Sequence, residues 1–216
     1  MGVLFMRNCV LCGEPIPAED GRRAMICADC AREVRAQYRC METIRVPGMD
    51  GCAAALYYTG KVKQAMRRFK FHHKQHYADW FAAQALPLLA GHLEDWQPDL
   101  ITFMPIGFAR RHERGYNQAE LLAKPIAKAL GLPCQATLRK RPFTPKQSEQ
   151  KDFAARQKNA ARALLPMEKA DLSGRSVVLV DDIITTGASA SAAAGLLRQM
   201  GAAHVYLLAP TRTPHH

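Results

Sequence analysis

Thirteen consecutive residues, Val177 to Ser189 (VVLVDDIITTGAS), constrain the fold of this chain more than any other stretch. The β-branched and aliphatic run Ser176–Val180 reads as a buried strand, and it delivers two carboxylates, Asp181 and Asp182, to the edge of a sheet. Thr185, Thr186, Gly187, Ala188 and Ser189 then turn into a small-residue helix that runs to Met200, with Gly201 as its stop. Ala203 to Ala209 returns as another strand. Strand, helix and strand in so short a span form a βαβ unit, which predicts a parallel sheet with ligands at the carboxyl ends of its strands. At such an edge a carboxylate can accept hydrogen bonds from a ribose diol. The free N–H groups and dipole of the following helix favour a phosphate, and Gly187 lets it approach closely.

The amino-terminal stretch follows a different logic. Cys9 and Cys12 form one CxxC pair and Cys27 and Cys30 another, separated by fourteen residues that include Gly13, Pro15, Pro17 and Gly21. Two such knuckles supply four thiolates, which close a tetrahedron around one ion and leave no open position for a reacting water. The expectation is a structural zinc site. Four unligated thiols and a redox CxxC are the alternatives; the latter is disfavoured by the lack of a βαβ pattern around these pairs. Cys40, Cys52 and Cys134 have no partner at ligand spacing. Seven cysteines, an odd number, argue against a disulfide framework.

The 216 residues are 48% hydrophobic and 23% charged, which excludes a disordered or collagen-like chain, and they suggest one full domain plus a unit too small to bury its own core. We therefore expect a zinc-binding module over residues 1–46 and an α/β domain over 47–216. No apolar run approaches the roughly 18 residues that span a bilayer, and the stretch before Arg7 is too short for a secretory segment. Met6 stands where a myristoylation signal needs Ser or Thr, so a cytoplasmic protein is expected.

Net charge is +11, and it is unevenly placed. Lys61–His76, Arg110–Arg114 and Arg139–Arg162 together hold 17 basic and 3 acidic residues, leaving the rest of the chain slightly acidic. An anionic partner (nucleotide, polyphosphate or nucleic acid) is expected to meet those segments, although basic clusters also occur as solvated faces. Periodicity adds a strand over Cys52–Tyr58, helices over Val62–Phe71 and Tyr77–Leu93, and a buried strand over Leu100–Met104 that ends at Pro105. A helix over Asn117–Leu130, capped by Asn117 and stopped by Gly131, is expected to kink at Pro125. Ala136–Arg139 reads as a further strand, followed by a long, polar, basic loop. Trp80, Trp96 and the methionines at helical spacing are expected in the core. His72, His73 and His76 fit a solvated basic helix better than a metal site.

All thirteen positions from Val177 to Ser189 fit the phosphoribosyl pyrophosphate (PRPP) signature of type I phosphoribosyltransferases. Pro105–Gln118 (PIGFARRHERGYNQ) resembles the basic loop and RG(F/Y)NQ motif of the ComF family, relatives of bacterial competence proteins and of GntX. With the four-cysteine prefix the resemblance covers almost the whole chain. Gly107 and Phe108 depart from the more polar residues of other members, and Pro125 interrupts the usual helix.

The resemblance implies a parallel-sheet type I phosphoribosyltransferase fold behind a small four-cysteine zinc module. It implies that Asp181 and Asp182 hold the ribose hydroxyls and that Thr185, Thr186, Gly187, Ala188 and Ser189 hold the 5′-phosphate. Arg110, Arg111 and Arg114 would meet a pyrophosphate that arrives with Mg²⁺, and Lys70 is a further PRPP contact. Arg139, Arg141, Thr144, Gln147, Arg156 and Asn159 would belong to a flexible loop folding over it. The implied activity is displacement of pyrophosphate from PRPP by an acceptor that the sequence does not name, with a link to DNA uptake. The alternative is a non-catalytic accessory protein that binds single-stranded DNA and meets DNA-uptake or recombination proteins, with Phe69, Phe71, Phe143 and Phe153 available for stacking. A ligand-sensing regulator without turnover ranks third, since no helix-turn-helix is evident.

Overall fold

A computed structural model describes residues 7–16, 24–142, 153–168 and 170–214. Its centre is an all-parallel sheet of β1 (Gly51–Tyr57), β7 (His204–Arg212), β5 (Ser176–Val180) and β2 (Leu100–Phe103) in that spatial order. A two-residue strand, β6 (Ile183–Ile184), continues beside β7 beyond the end of β5. All five residues of β5 are buried, as a strand covered on both faces requires. The Asp181 N–H still donates to the Leu208 carbonyl at 3.0 Å, but the ladder between β5 and β7 then lapses until β6, where Pro210 offers no N–H. The strand expected to stop at Ala209 therefore runs on past that proline to Arg212.

α3 (Tyr77–Gly91) packs on β1 and β7, and α6 (Gln118–Leu130) packs on α3, β2 and β5. α8 (Ala188–Gln199) contacts β7 and is covered in turn by α7 (Phe153–Ala163). α2 (Gly60–Phe71) buries Val62, Ala65, Met66 and Phe69, and the Phe69 ring stacks between Phe81 and Tyr116 with centroids 6.0 and 5.8 Å away. Asn117 caps α6 by accepting from the Ala119 N–H at 3.1 Å. α6 continues through Pro125 and α3 through Pro87; a neighbouring packed face holds each helix across the missing backbone bond. Trp80 and Trp96 are buried, and Trp96 stacks on Tyr206 at 4.5 Å. Of the methionines, Met66 and Met104 are core residues, whereas Met41 is 87% exposed.

Three expectations need correction. The basic stretch after Pro105 is a helix, α5 (Phe108–Arg114), not a loop. Part of the stretch read as a mobile loop is also helical: Arg156 and Asn159 lie in α7, which leads into β4 (Leu164–Pro166), and β4 pairs antiparallel with β3 (Leu138–Lys140). Thr144, Gln147 and Phe143 lie outside the described residues. Phe69 is wholly buried, so it is unavailable for stacking on a ligand. Among the described residues no helix is long and apolar enough to cross a membrane.

Candidate functional site

Each element at the carboxyl edge of the sheet contributes one part of the site. β5 ends at the acidic pair, where the Asp182 N–H donates to Asp181 Oδ1 at 2.8 Å and the Thr211 hydroxyl donates to the Asp182 carbonyl at 2.8 Å. These bonds fix the pair against β7. Burial first, and the neighbouring Asp182 carboxylate second, push the Asp181 carboxyl up to about 7, against the pull of the Asp182 N–H, Lys70 and Lys140. Asp182 itself is neutralised: Lys70, in the last turn of α2, places Nζ 2.9 Å from its Oδ1, and both side chains are only 16% exposed.

The turn after the pair leads directly into α8. Gly187 caps α8 in the left-handed region at φ 75°, and the Ala188 N–H donates to the Thr186 hydroxyl at 3.4 Å. Val46 lies directly on Gly187: a Cβ added there would stand 2.8 Å from Val46 Cγ2 and 2.9 Å from Cγ1. Gly187→Ala should therefore destabilise the protein by about 1–3 kcal/mol, from backbone strain and from this collision together. Adding Val46→Ala should recover the steric part alone, a split that a double-mutant cycle of denaturant unfolding measures.

Lys70 and Lys140 are the cations that act on Asp181. Arg110, Arg111 and Arg114 stand on α5, which follows β2. Arg114 packs over the Phe71 ring at 4.8 Å and donates to Gln118 Oε1 at 3.0 Å, leaving its buried Nε without a protein partner. Arg111 turns toward Glu120, 3.8 Å away, and Arg110 is exposed. Strand alternation in β3 sends Arg139 to solvent and Lys140 inward, where burial above all, and then Arg110, hold its ammonium below the usual lysine range. Lys140 is thus the residue of that segment that feels Asp181, a position the period-2 pattern of the strand could have singled out. Arg141 donates through Nε to the Arg162 carbonyl at 3.2 Å.

Arg212 is a further residue at this edge that the sequence pattern does not predict. It ends β7 with 2% of its side chain exposed, and Nη1 lies 3.0 Å from Glu42 Oε2. The Tyr57 hydroxyl donates to the other Glu42 oxygen at 2.8 Å. This group ties the segment before β1 to the sheet edge, one residue beyond the Thr211 that holds Asp182. No local pattern marks it, because Glu42 and Arg212 are distant in sequence.

The four cysteines of the amino-terminal segment converge. Their Sγ atoms all lie within 4.8 Å of one another, and Cys12 and Cys27 stand 3.9 Å apart. A tetrahedral ion with metal–sulfur bonds of ~2.3 Å has sulfur–sulfur edges of ~3.8 Å, so the thiols fit one metal ion. The Cys27 N–H donates to Cys9 Sγ at 3.4 Å, a bond that would steady a thiolate ligand. His72, His73 and His76 form no such group among the described residues. Cys52 is pushed up to about 11 by burial, and burial likewise raises Cys134, so both remain neutral thiols.

The first basic segment is thereby divided. Lys61, Arg68 and Lys70 are occupied inside the protein by Glu33, by the Val10 and Leu11 carbonyls, and by Asp182. Lys63, Arg67 and Lys74 face solvent. Less of this segment's charge is therefore free for a partner than its composition suggests.

Residues 117–215 match the phosphoribosyl transferase domain family. Competence protein F of Haemophilus influenzae is 30% identical over 186 residues, 81% of this chain and 79% of that protein. DNA utilization protein YhgH of Salmonella typhimurium is 29% identical over 229 residues, 95% of this chain and 96% of that protein. Among solved structures, adenine phosphoribosyltransferase from Thermoanaerobacter pseudethanolicus aligns with a TM-score of 0.41 at 16% identity, over 80% of this chain and 96% of that chain.

Proposed function

The chain belongs to the ComF family, whose parallel sheet is of the phosphoribosyltransferase type, and on that premise we propose that it binds PRPP with Mg²⁺ and displaces its pyrophosphate. The observation that carries the reading is the acidic pair followed at once by the left-handed Gly187 turn into α8. In this reading Asp181 and Asp182 accept from the ribose hydroxyls, while the N–H groups from Thr185 to Ser189 receive the 5′-phosphate. Lys70 neutralises Asp182, so the sugar meets one carboxylate that gains by receiving a donor and one already settled. Arg110, Arg111 and Arg114 lie beyond β2 and would reach the pyrophosphate, helped by Lys140. Arg139, Arg141, Thr144, Gln147, Arg156 and Asn159 would cover it.

Carbon–oxygen cleavage leaves positive charge on the ribose and negative charge on the departing pyrophosphate. Cations there lower the barrier by more than they strengthen ground-state binding. Mg²⁺, when bound with PRPP, would screen the phosphate charge. The four cysteines would hold a structural zinc ion within residues 1–46, with the transferase-like domain over 47–216 and the protein in the cytoplasm.

The names of the relatives support a link to DNA uptake or use, with single-stranded DNA and uptake or recombination proteins as partners. What favours DNA contact in this chain is the exposed Phe108 beside Arg110 and Arg111, together with half-exposed Phe71 beneath Arg114. Calorimetry with PRPP and Mg²⁺, repeated with single-stranded DNA, tests both readings. Micromolar PRPP affinity that DNA weakens is the expected result. DNA binding without PRPP binding would reduce the protein to the non-catalytic accessory reading.

A further inference from the structure

α2 touches two sites at once. Arg68 sends Nη2 out of the helix to the backbone carbonyls of Val10 and Leu11, at 2.9 and 2.6 Å, inside the Cys9–Cys12 knuckle. Two residues later Lys70 leaves the same turn and grips Asp182 at 2.9 Å. A helix is stiff over two residues, so a displacement of one side chain's anchor moves the other. The Arg68 guanidinium has little freedom: it lies 6.0 Å from the Tyr77 ring centroid, and its buried Nε has no protein partner. The amino end of α2 is pinned to the same module, because Lys61 Nζ lies 2.5 Å from Glu33 Oε2 and the Lys61 N–H donates to the Tyr38 hydroxyl at 3.3 Å. Gly60 permits that approach, since a Cβ there would collide with the Tyr38 hydroxyl.

The carbonyls that receive Arg68 belong to residues between two ligand cysteines. Their orientation is therefore set by whether the knuckle is closed around its ion. A knuckle without metal can turn those carbonyls to solvent, which would leave a guanidinium with a buried, unpartnered Nε without its acceptors. Relief of that cost would draw the last turn of α2, and Lys70 with it, away from Asp182.

We propose that Arg68 is a positioning residue that couples the four-cysteine metal site to the acidic pair, so that zinc loading strengthens PRPP binding and PRPP strengthens zinc binding. The proposal rests on the PRPP reading given above. Reciprocity is required by linkage: whatever factor zinc adds to PRPP affinity, PRPP adds to zinc affinity. The factor is expected to be about five- to tenfold, within the range of coupling between distinct sites. Phe69 and its aromatic neighbours hold the helix in part without the module, which keeps the factor at that lower end.

The test uses the full chain and two readouts. Zinc affinity is measured by competition with a chelator, with and without Mg²⁺ and PRPP, and PRPP affinity by calorimetry in zinc-loaded wild type, Arg68→Met and Arg68→Lys. PRPP should tighten zinc about fivefold or more in the wild type. Arg68→Met should weaken both ligands although it touches neither, and Arg68→Lys, which keeps a donor, should restore part of each. Circular dichroism separates this from unfolding, and Arg68→Lys carries the comparison if Arg68→Met does not fold. Unchanged zinc affinity in the presence of bound PRPP, or wild-type PRPP affinity in a folded Arg68→Met, overturns the coupling. If PRPP fails to bind the wild type, the PRPP reading falls, and the coupling is read from Lys70→Met alone. That change should loosen zinc, and wild-type zinc affinity there would overturn the coupling as well.

Discussion

Asp181→Asn is expected to weaken PRPP binding by about a hundredfold, the loss of two charge-assisted hydrogen bonds, while making the unliganded protein more stable at pH 8. The sign follows from the raised carboxyl. Unfolded, Asp181 titrates near 3.8; folded, burial and Asp182 push it up to about 7. Its favourable contribution is whole below the unfolded value and is lost as pH rises through the folded one. At pH 8 the native state thus carries an ionised, crowded carboxylate, which Asn removes. The gain should be about 2 kcal/mol, equivalent to about 5 °C in melting temperature for a chain of this size, and it should shrink toward zero as pH falls to about 4. Thermal unfolding at several pH values gives the stability, and calorimetry the affinity. A stabilised variant that has lost its ligand is the signature of a group held in strain for binding. Asp181→Asn with Asp182→Asn should abolish PRPP binding, and intact binding in that pair would remove the ribose assignment.

The other large effect concerns the metal proposed for the four cysteines. The described residues between 7 and 38 bury a handful of apolar side chains, chiefly Val10, Leu11, Val34 and Tyr38 with Cys9 and Cys30. So small a unit is not stable by apolar burial alone, whereas four-thiolate zinc binding contributes roughly 10–16 kcal/mol in isolated modules. Chelation, or Cys30→Ser, should therefore strip hydrogen-exchange protection from residues 7–16 and 24–38 while the sheet strands keep theirs. Persistent protection of that segment after the metal is gone would mean that its contacts with α2 suffice.

The parts of this architecture that are legible in the sequence depend on local order. The βαβ unit, the Asn117 cap and the CxxC pairs each declare themselves within a few residues, because a run of apolar residues, a capping side chain or a pair of knuckle ligands is a short-range pattern. The order of strands in the sheet is not local, and neither are the ties that complete the site. Lys70 meets Asp182 across 112 positions, and Arg68 meets Val10 across 58. Glu42 meets Arg212 in the same way. α7 is obscured for a different reason: the basic and polar side chains of FAARQKNAARA mask its helical period and give it the composition of a loop. Lys140 does not stand out in sequence because its neighbours Arg139 and Arg141 are equally basic, and the pleat of β3 is what tells it from Arg139.

The middle position of β7 governs when the molecule can fold. Among the described residues β1 pairs with no other strand of the sheet, and β7 lies more than 150 residues further on, as in Gly51 beside Tyr206. β5 likewise finds its second neighbour only once β7 arrives. During synthesis most of the chain must therefore wait, with apolar strands unpaired, for the segment from His204 to Arg212 to leave the ribosome. Pairing at such separation is slow to nucleate and exposes strand edges meanwhile. The cysteine pairs, close in sequence and able to close around an ion, can mature long before. The order of birth thus places a finished amino-terminal anchor beside α2 before the sheet that α2 must meet exists.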